Sequence, residues 1–390
     1  MALSLPVLTR IYSPEDFDFL AVYMAVLMLL TAISNLRLGR TVPLPANDAE
    51  AANLLTLALL AAVAFGVLLA VPVIAAPDTV TGILGQERFL PFLWMIPVGV
   101  TLAGGYQALQ FWASRKRRFG LVARTRVARA VGGAGTQLGL GAAGIAPFGL
   151  LLGHMIYSGL GSLSLARDLL RQDRIALAAV SPAAMWRALS AYRRFPIWSV
   201  PEALANSAGV QVPVILIAAA AAGPEAGYLA LAMQVMAIPM ALVGQSVAQV
   251  FIAEAPERLR QGTLPAFTRR TSLTLFKLGA AVLIPVGLLS PLVFPPLFGP
   301  GWGRAGEIVL WMTPWHILQF TASPVSSVLH VIGRLRTALV LQVFGALLRI
   351  GAVAITAALA TGWISEVYAL SGAVFYGFYL IVVTMLVRRV

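Results

Sequence analysis

Runs of about 20 apolar residues, separated by short polar breaks, recur along the whole chain and constrain its fold more than any other feature. Each run is long enough to cross the roughly 30 Å hydrocarbon core of a membrane as a helix. Each run must be helical, because lipid offers no partner to an unpaired backbone N–H or C=O group. Strands of a membrane β-barrel would be shorter and would alternate apolar with polar residues. The sequence therefore predicts an all-α polytopic membrane protein.

Hydropathy predicts about eleven membrane spans. Composition agrees, since 59% of the 390 residues are hydrophobic and 11% are charged, whereas about a quarter are charged in a typical soluble domain. A short apolar stretch at Met1–Leu8 is interpreted as the remnant of a further helix. The predicted spans are 17–36, 51–75, 90–112, 121–143, 146–166, 195–220, 226–252, 272–297, 305–332, 335–360 and 366–387.

Basic residues predict the orientation, because arginine and lysine accumulate in cytoplasmic loops. The loop 113–120 contains the sequence RKRR and is assigned to the cytoplasm. Alternation of the spans then keeps the C-terminus cytoplasmic and leaves Arg10, Arg88 and Arg304 outside. Membrane topology thus explains the net charge of +13, and no nucleic acid partner is predicted. The acids assigned to the outside are Glu15, Asp16, Asp18, Asp78, Glu87, Glu225, Glu307 and Glu366.

The span pattern divides the chain into three parts. Residues 1–166 form an N-terminal helical bundle that lacks most of its first helix. Residues 167–194 form a basic, amphipathic cytoplasmic linker, which we expect to lie on the anionic inner leaflet. Residues 195–390 form a C-terminal bundle of six helices. One added helix at the start would give the six-plus-six layout of a two-lobed transporter.

Several segments resemble the polysaccharide-biosynthesis flippases of bacteria, the Wzx type within the multidrug/oligosaccharidyl-lipid/polysaccharide (MOP) exporter superfamily. The resemblance covers essentially the whole chain in order, although no segment is a catalytic motif. The segments are LTRIYSPEDF (8–17), PLPANDAEAANLL (43–55), YRRFPIWS (192–199), GQSVAQVF (244–251), FGPGW (298–302) and ASPVSSVLHVIGR (322–334).

The resemblance implies a MATE-like two-bundle transporter of twelve helices in the bacterial inner membrane. It also implies a cavity that opens to either side and an undecaprenyl-pyrophosphate-linked oligosaccharide as cargo, moved for polysaccharide or lipopolysaccharide (O-antigen) biosynthesis. Membrane lipid, an H⁺ or Na⁺ counter-ion and the polysaccharide polymerase machinery are the further partners expected, with no cofactor. Two departures stand out. By this resemblance we expect the chain to begin inside the family's first helix, through a wrong start site or a real truncation, and Asp18 replaces the glycine that usually follows SPEDF.

The implied cargo directs attention to cations inside spans, since buried ionisable residues are costly and usually face a cavity. Arg126 and Arg129 lie three residues apart and share a helix face with Gln137. Arg349 lies seven residues after Gln342, on one face of another span. We expect Arg129 and Arg349 to attract the pyrophosphate, one from each bundle. Alternatives are a helix-end anchor for Arg126 and an ion pair or carbonyl clamp for Arg349.

Other polar residues inside spans suggest ion coupling and sugar contacts. Glu202 is the acid placed inside a span, with Asn206 four residues later. A carboxyl group in a low-dielectric cavity suits proton coupling; pairing with Arg193 or Arg194 is the alternative. Amides and imidazoles in the spans either contact sugars or hold helices together. These candidates are His316, Gln319 and Gln245.

Four alternatives compete with flipping of a glycan lipid. A multidrug exporter would need carboxylates in its cavity, and another lipid exporter of the superfamily or an inactive truncated protein also fits the sequence. A membrane enzyme that polymerises glycans is disfavoured, because no predicted external loop carries a cluster of acidic, histidine and arginine residues. The chain has no cysteine and its three histidines lack metal-site spacing. The sequence therefore predicts neither an enzyme nor a metal site.

Overall fold

The computed structural model describes residues 4–240, 244–359 and 362–388. Within these ranges the regular structure is helical and no strand occurs. The α-helices are α1 (Leu5–Ile11), α2 (Pro14–Ser34), α3 (Asp48–Ala75), α4 (Pro77–Leu84), α5 (Met95–Arg115), α6 (Phe119–Ala142), α7 (Phe148–Gly159), α8 (Gly161–Gln172), α9 (Arg174–Ala178), α10 (Pro182–Tyr192), α11 (Arg194–Ala220), α12 (Glu225–Pro239), α13 (Gln245–Arg260), α14 (Leu264–Phe298), α15 (Gly303–Val325), α16 (Val328–Val331), α17 (Leu335–Ala358) and α18 (Ile364–Val387).

Helices occupy the position of every predicted span. Within the described ranges, seven stretches are long and apolar enough to cross a membrane, by length and composition. α6 is not among them, because Arg124, Arg126 and Arg129 lie within it. The prediction of a multi-pass α-helical membrane protein is confirmed. The seven stretches are Pro14–Ser34, Asp48–Ala75, Phe148–Gln172, Arg194–Ala220, Leu264–Phe298, Arg336–Ala358 and Ile364–Val387.

Two of the segments quoted above start helices through side-chain caps. In SPEDF, Ser13 Oγ accepts a hydrogen bond from the Asp16 amide (3.3 Å), and Asp16 Oδ2 accepts one from the Ser13 amide (3.0 Å). This reciprocal capping box, with a proline at the first helical position, is a strong start signal for α2. Asn47 Oδ1 likewise accepts from the Glu50 amide at 2.7 Å and starts α3.

The chain divides into two compact units. The first comprises Phe19–Ser207, and the second combines the described residues before Phe19 with those after Ser207. The residues before Phe19 thus pack with the C-terminal part of the chain, and the boundaries expected at residues 166 and 194 stay a prediction. α2 and α11 each contribute residues to both units.

Contacts within the second unit explain why the N-terminal residues join it. Trp302 Nε1 donates a hydrogen bond to the carbonyl oxygen of Thr9 at 3.0 Å. The ring of Phe17 meets that of Trp302 edge-on, with centroids 4.9 Å apart. Asp18 Oδ1 accepts a hydrogen bond from the Gly227 amide at 3.1 Å. Asp18, assigned to the outside at the start of the span 17–36, is a buried residue of α2.

The predicted linker is part of the core of the first unit. α8, α9 and α10 bury an apolar face that includes Leu165, Leu169 and Ala176. The side chain of Asn53 in α3 donates to the carbonyl oxygen of Ala179 at 3.3 Å. These contacts explain the amphipathic pattern, since the apolar face lies against α3 and α5 and the arginines lie on the exposed face.

Candidate functional site

Arg349 of α17 is completely buried in the second unit, with 0% of its surface exposed. Its Nε donates a hydrogen bond to the carbonyl oxygen of Gly345, one turn earlier in the same helix, at 3.0 Å. The guanidinium carbon lies 4.7 Å from the centroid of the Phe375 ring, in cation–π geometry. Gly345 permits this arrangement, because the Phe375 ring occupies the space that a Cβ would take.

The two terminal amino groups of Arg349 have no hydrogen-bond partner among the described residues. No carboxylate in that part of the chain lies within ion-pairing distance of it either. The ion-pair alternative is therefore not observed, and the carbonyl contact engages Nε alone. A buried guanidinium without a counter-charge is costly. Its planar fork of free donors matches a phosphate, which can accept two parallel hydrogen bonds.

Tyrosines of α18 lie close to Arg349. The Tyr368 hydroxyl donates to the carbonyl oxygen of Val210 at 2.9 Å. The Tyr376 hydroxyl shares a hydrogen bond with Gln319 of α15, and both tyrosines are within electrostatic range of Arg349. The structure thus places the predicted residues Gln319 and Arg349 around the same stretch of α18.

Two other predicted residues of the second unit differ in whether their polar side-chain atoms have a hydrogen-bond partner. Gln342 lies two turns before Arg349 on α17, and its buried Oε1 lacks a partner among the described residues. His316 is buried, and its Nδ1 lies 3.0 Å from the carbonyl oxygen of Met312 in its own helix. The side chain of Gln245 lies outside the described residues. Gln342 is therefore the better candidate to contact a ligand beside Arg349.

Arg129 of α6 is half-buried in the first unit. Its guanidinium carbon lies 3.8 Å from the centroid of the Tyr106 ring and 4.6 Å from that of Tyr157. Its Nε donates to the carbonyl oxygen of Tyr157. Aromatic faces hold the cation without neutralising it, and no ion pair to it occurs within the described part of the first unit. Arg129 thus keeps a positive charge inside a helical unit.

The other predicted residues of α6 have different surroundings. Gln137 is buried, and its Nε2 donates to the carbonyl oxygen of Leu150 in α7 at 3.1 Å. Its side chain fits against Gly153, where a Cβ would collide with it. Arg126 is exposed. Gln137 therefore joins α6 to α7, and a sugar-binding role for Gln137 or Arg126 stays a prediction.

Glu202 of α11 is half-buried and interacts electrostatically with Arg37 and Arg40. The sequence suggested Arg193 or Arg194 as the partner of Glu202, whereas the structure pairs it electrostatically with Arg37 and Arg40. Arg37 Nε also donates to Ser199 Oγ at 3.2 Å. Burial, aided by the charge of Arg40, lowers the pKa of Arg37 to about 10 against the opposing charge of Glu202. Asn206 is exposed one turn later, so a coupling role for Glu202 and Asn206 stays a prediction.

Comparison with protein families identifies the chain's relatives. Residues 7–296 match the family described as polysaccharide biosynthesis protein. The chain belongs to this family. A search of the curated proteins found no match. The inferred resemblance is confirmed at the level of the family, and the matched residues include SPEDF and the other quoted segments up to residue 251.

Solved structures similar to this polysaccharide biosynthesis protein are transporters of the MOP superfamily. An inward-facing multidrug resistance MATE transporter aligns with a TM-score of 0.68 at 17% identity, over 99% of this chain and 98% of that one. The lipid II flippase MurJ, in an inward closed conformation, aligns with a TM-score of 0.66 at 13% identity, over 97% and 85%. A MOP superfamily transporter from Pyrococcus furiosus aligns with a TM-score of 0.62 at 15% identity, over 99% and 91%. The predicted MATE-like fold class is confirmed.

Charged residues predicted to face the cytoplasm meet in the first unit of this family member. Arg118 donates to both carboxylate oxygens of Asp173, at 2.7 and 2.9 Å. Trp112 Nε1 donates to Asp173 at 2.9 Å. Burial alone would raise the pKa of Asp173, but hydrogen bonds from Arg118 and Trp112 outweigh it and hold that pKa below its ordinary value. This cluster fixes the start of α9 against the α5–α6 loop.

Charged residues predicted to lie outside meet in the second unit. Arg304 forms ion pairs with Glu225 (2.8 Å), Glu307 (3.1 Å) and Glu366 (2.7 Å). The four residues come from α12, α15 and α18. Each cluster thus collects residues that the positive-inside rule assigns to one side of the membrane.

Sequence reasoning missed the aromatic residues that hold the two arginines. Tyr106, Tyr157 and Phe375 each lie within 5 Å of a guanidinium carbon. Their signal in the sequence is weak, because aromatic residues are common in membrane helices. The glycines next to these aromatic residues are a clearer signal in the sequence. Tyr106 follows two glycines, and Phe375 packs where Gly345 lacks a Cβ.

Proposed function

We propose that this protein moves an undecaprenyl-pyrophosphate-linked oligosaccharide from the cytoplasmic to the periplasmic leaflet of the bacterial inner membrane. The polysaccharide biosynthesis family supports a role in glycan assembly. A similar solved structure is a lipid II flippase, which supports a lipid-linked cargo. The flipped lipid would then serve the polysaccharide polymerase machinery. In this proposal the C-terminus is cytoplasmic and the chain needs no cofactor and catalyses no reaction.

The observation that carries the proposal is the buried guanidinium of Arg349 with two unpartnered amino groups. A diphosphate carries several acceptor oxygens and negative charge, so it offers what these donors lack. Arg129 supplies a second uncompensated cation in the first unit. A cationic drug would instead require uncompensated carboxylates. Buried acids in the described chain are Asp18, Asp173 and Glu366, and each already accepts a hydrogen bond or forms an ion pair.

The physical task is to carry a hydrated, charged headgroup through hydrocarbon while the polyprenyl tail stays in lipid. In the proposed cycle, alternating access exposes the arginines to one leaflet and then to the other. Arg349 binds phosphate oxygens through its free donors, and Gln342 and Gln319 contact the first sugars. Proton or sodium coupling through Glu202 would set the direction, since Glu202 already faces two arginines. A bound headgroup phosphate would compete with Glu202 for them.

Headgroup accessibility in liposomes tests the proposal. The purified full chain is reconstituted with a fluorescent undecaprenyl-pyrophosphate oligosaccharide in both leaflets, and an impermeant quencher is added outside. Without transport about half of the label is protected. We expect nearly all of the label to be quenched with the wild-type protein and with Arg336→Ala. With Arg349→Ala we expect about half of the label to stay protected from the quencher. Arg336 is a matched control, because it is an exposed arginine at the start of the same helix.

Two outcomes would oppose the proposal. Full activity of Arg349→Ala, at wild-type protein levels, would remove the role of Arg349. Transport of a cationic dye without movement of the labelled lipid would favour the rival function of a multidrug exporter. Both assays use the same proteoliposomes, so the two substrates are compared in one preparation.

A further inference from the structure

A basic groove lies along the first four turns of α14 in the second unit. It consists of two adjoining cavities of about 280 and 390 Å³ that share Ala266 and Arg269. The smaller cavity lies between α14 and the end of α18, where Arg388 lines it. The larger cavity follows one stripe of α14 as far as Lys277. We call this feature the α14 groove.

Helix length places the α14 groove at the depth of lipid headgroups. α14 has 35 residues, which at 1.5 Å per residue gives about 52 Å. The hydrocarbon core needs only about 30 Å of it. The apolar segment of this helix is the predicted span 272–297. Arg269 and Arg270 therefore lie just outside the hydrocarbon, and Lys277 lies about two turns deeper, where a long side chain can reach the interface.

All the charged residues that line the α14 groove are basic. Its lining includes Arg269, Arg270, Lys277 and Arg388 and no acidic residue. None of these four cations forms an ion pair within the described chain. By contrast, the exposed Arg260 a few residues earlier is paired with Glu257. The groove therefore offers uncompensated positive charge to an anion.

A buried hydroxyl gives a second, independent indication of a ligand. Thr268 lines the smaller cavity and is 4% exposed, and its Oγ1 has no hydrogen-bond partner among the described residues. Buried hydroxyls almost always have a partner. Thr384 lines the same cavity but donates to the carbonyl oxygen of Leu380 at 2.7 Å. Thr268, which has this free donor, thus lines the same cavity as Arg269 and Arg388.

We propose that the α14 groove binds the phosphate group of a membrane lipid. Arg269 and Arg388 would pair with the phosphate oxygens, and Thr268 would donate a hydrogen bond to one of them. The acyl or prenyl chain would then run beside Leu273, which is half exposed and apolar, toward the hydrocarbon. Either a polyprenyl pyrophosphate or an anionic phospholipid supplies this chemistry. The site is separate from Arg349 and does not depend on the proposed transport.

Lipid binding to the full chain in dodecyl maltoside micelles tests this site, because this detergent contains no phosphate. Native mass spectrometry would measure binding of undecaprenyl pyrophosphate, of phosphatidylglycerol and of phosphate-free diacylglycerol. We expect Arg269→Gln combined with Arg388→Gln to weaken phospholipid or polyprenyl pyrophosphate binding at least about tenfold. Arg336→Gln combined with Arg260→Gln removes the same charge elsewhere and should leave binding unchanged.

Thr268→Val distinguishes a ligand contact from a packing role. Removing a buried, unpartnered hydroxyl should leave the thermal midpoint unchanged or raise it, while lipid binding weakens several-fold. Preference for undecaprenyl pyrophosphate would identify a loading site for a polyprenyl lipid, and equal binding of phosphatidylglycerol would identify a site for bulk anionic lipid; either result supports the inference. Binding that is equal in the Arg269/Arg388 double variant and the control, or equal for diacylglycerol, would overturn it.

Discussion

Replacement of Arg349 by methionine separates a binding role from a structural one. Methionine keeps a long unbranched side chain and removes the buried charge. The variant loses the hydrogen bond from Nε to Gly345, worth about 0.5–1.5 kcal/mol. It also loses the cation–π contact with Phe375, worth about 0.5–2 kcal/mol.

Against these losses stand the two amino groups of Arg349 that have no partner among the described residues. Each unpartnered buried group costs about 1–3 kcal/mol, so their removal recovers about 2–6 kcal/mol. The balance predicts that Arg349→Met is more stable than the wild type by about 2 kcal/mol. A structural clamp would give the opposite sign, since removal of one partner of a buried charge pair destabilises by about 3–5 kcal/mol.

The assay is the thermal midpoint of the purified protein in detergent, followed by size-exclusion chromatography, with and without lipid-linked oligosaccharide. We expect Arg349→Met to raise the midpoint by a few degrees. Cargo at 100 times its Kd should stabilise the wild type by about 2.7 kcal/mol and should have much less effect on the variant. Arg336→Met should behave as the wild type in both conditions. A midpoint several degrees below that of the wild type, with the cargo effect retained, would refute the reasoning.

Three further predictions follow from the first unit. Arg129→Gln should abolish lipid flipping and lower the free energy of unfolding by only about 1–3 kcal/mol, because it loses the cation–π contacts with Tyr106 and Tyr157 and the hydrogen bond to the Tyr157 carbonyl oxygen; a large loss of folded protein would instead make Arg129 structural. Asp173→Asn should destabilise by about 1–3 kcal/mol at pH 7, since Arg118 loses its buried partner. The pKa of Asp173 is lowered by folding, so its stabilisation is present above about pH 4 and fades as the pH falls further; denaturation curves at pH 7 and pH 3.5 should show the difference between variant and wild type shrinking. Glu202→Gln should remove the pH dependence of flipping measured between pH 5.5 and 8, and an unchanged pH profile would end the coupling hypothesis.

Much of the fold could be predicted because membrane helices are specified locally. A run of about 20 apolar residues must be helical in lipid whatever surrounds it, so the predicted spans all contain helices. Capping chemistry is equally local, as Ser13 and Asp16 show. The placement of residues 4–18 with the second unit was not predictable, because it depends on contacts of Thr9 and Phe17 with Trp302, nearly 300 residues away.

The arginines of the candidate site, and the amides Gln319 and Gln342, could be named from the sequence. An arginine inside a span is conspicuous because it is rare and costly, so Arg129 and Arg349 could be named from the sequence. Their partners could not be named, because Tyr106 and Phe375 look like ordinary apolar positions until the helices are packed. The contacts of Gln137 could not be named either, because its hydrogen bond to the Leu150 carbonyl oxygen depends on how α6 packs against α7.

The distribution of ion pairs bears on what the protein can carry. At the ends of the helices, acidic and basic residues pair, as in Arg118 with Asp173 and Arg304 with Glu366. Inside the helical units, Arg129 and Arg349 have no carboxylate partner within the described chain. A sequence under pressure for stability alone would neutralise or remove such charges, since each raises the free energy of the folded state. Unneutralised cations inside these units are explained if an anion is bound there in another step of the proposed cycle, and the diphosphate headgroup of the proposed cargo is such an anion.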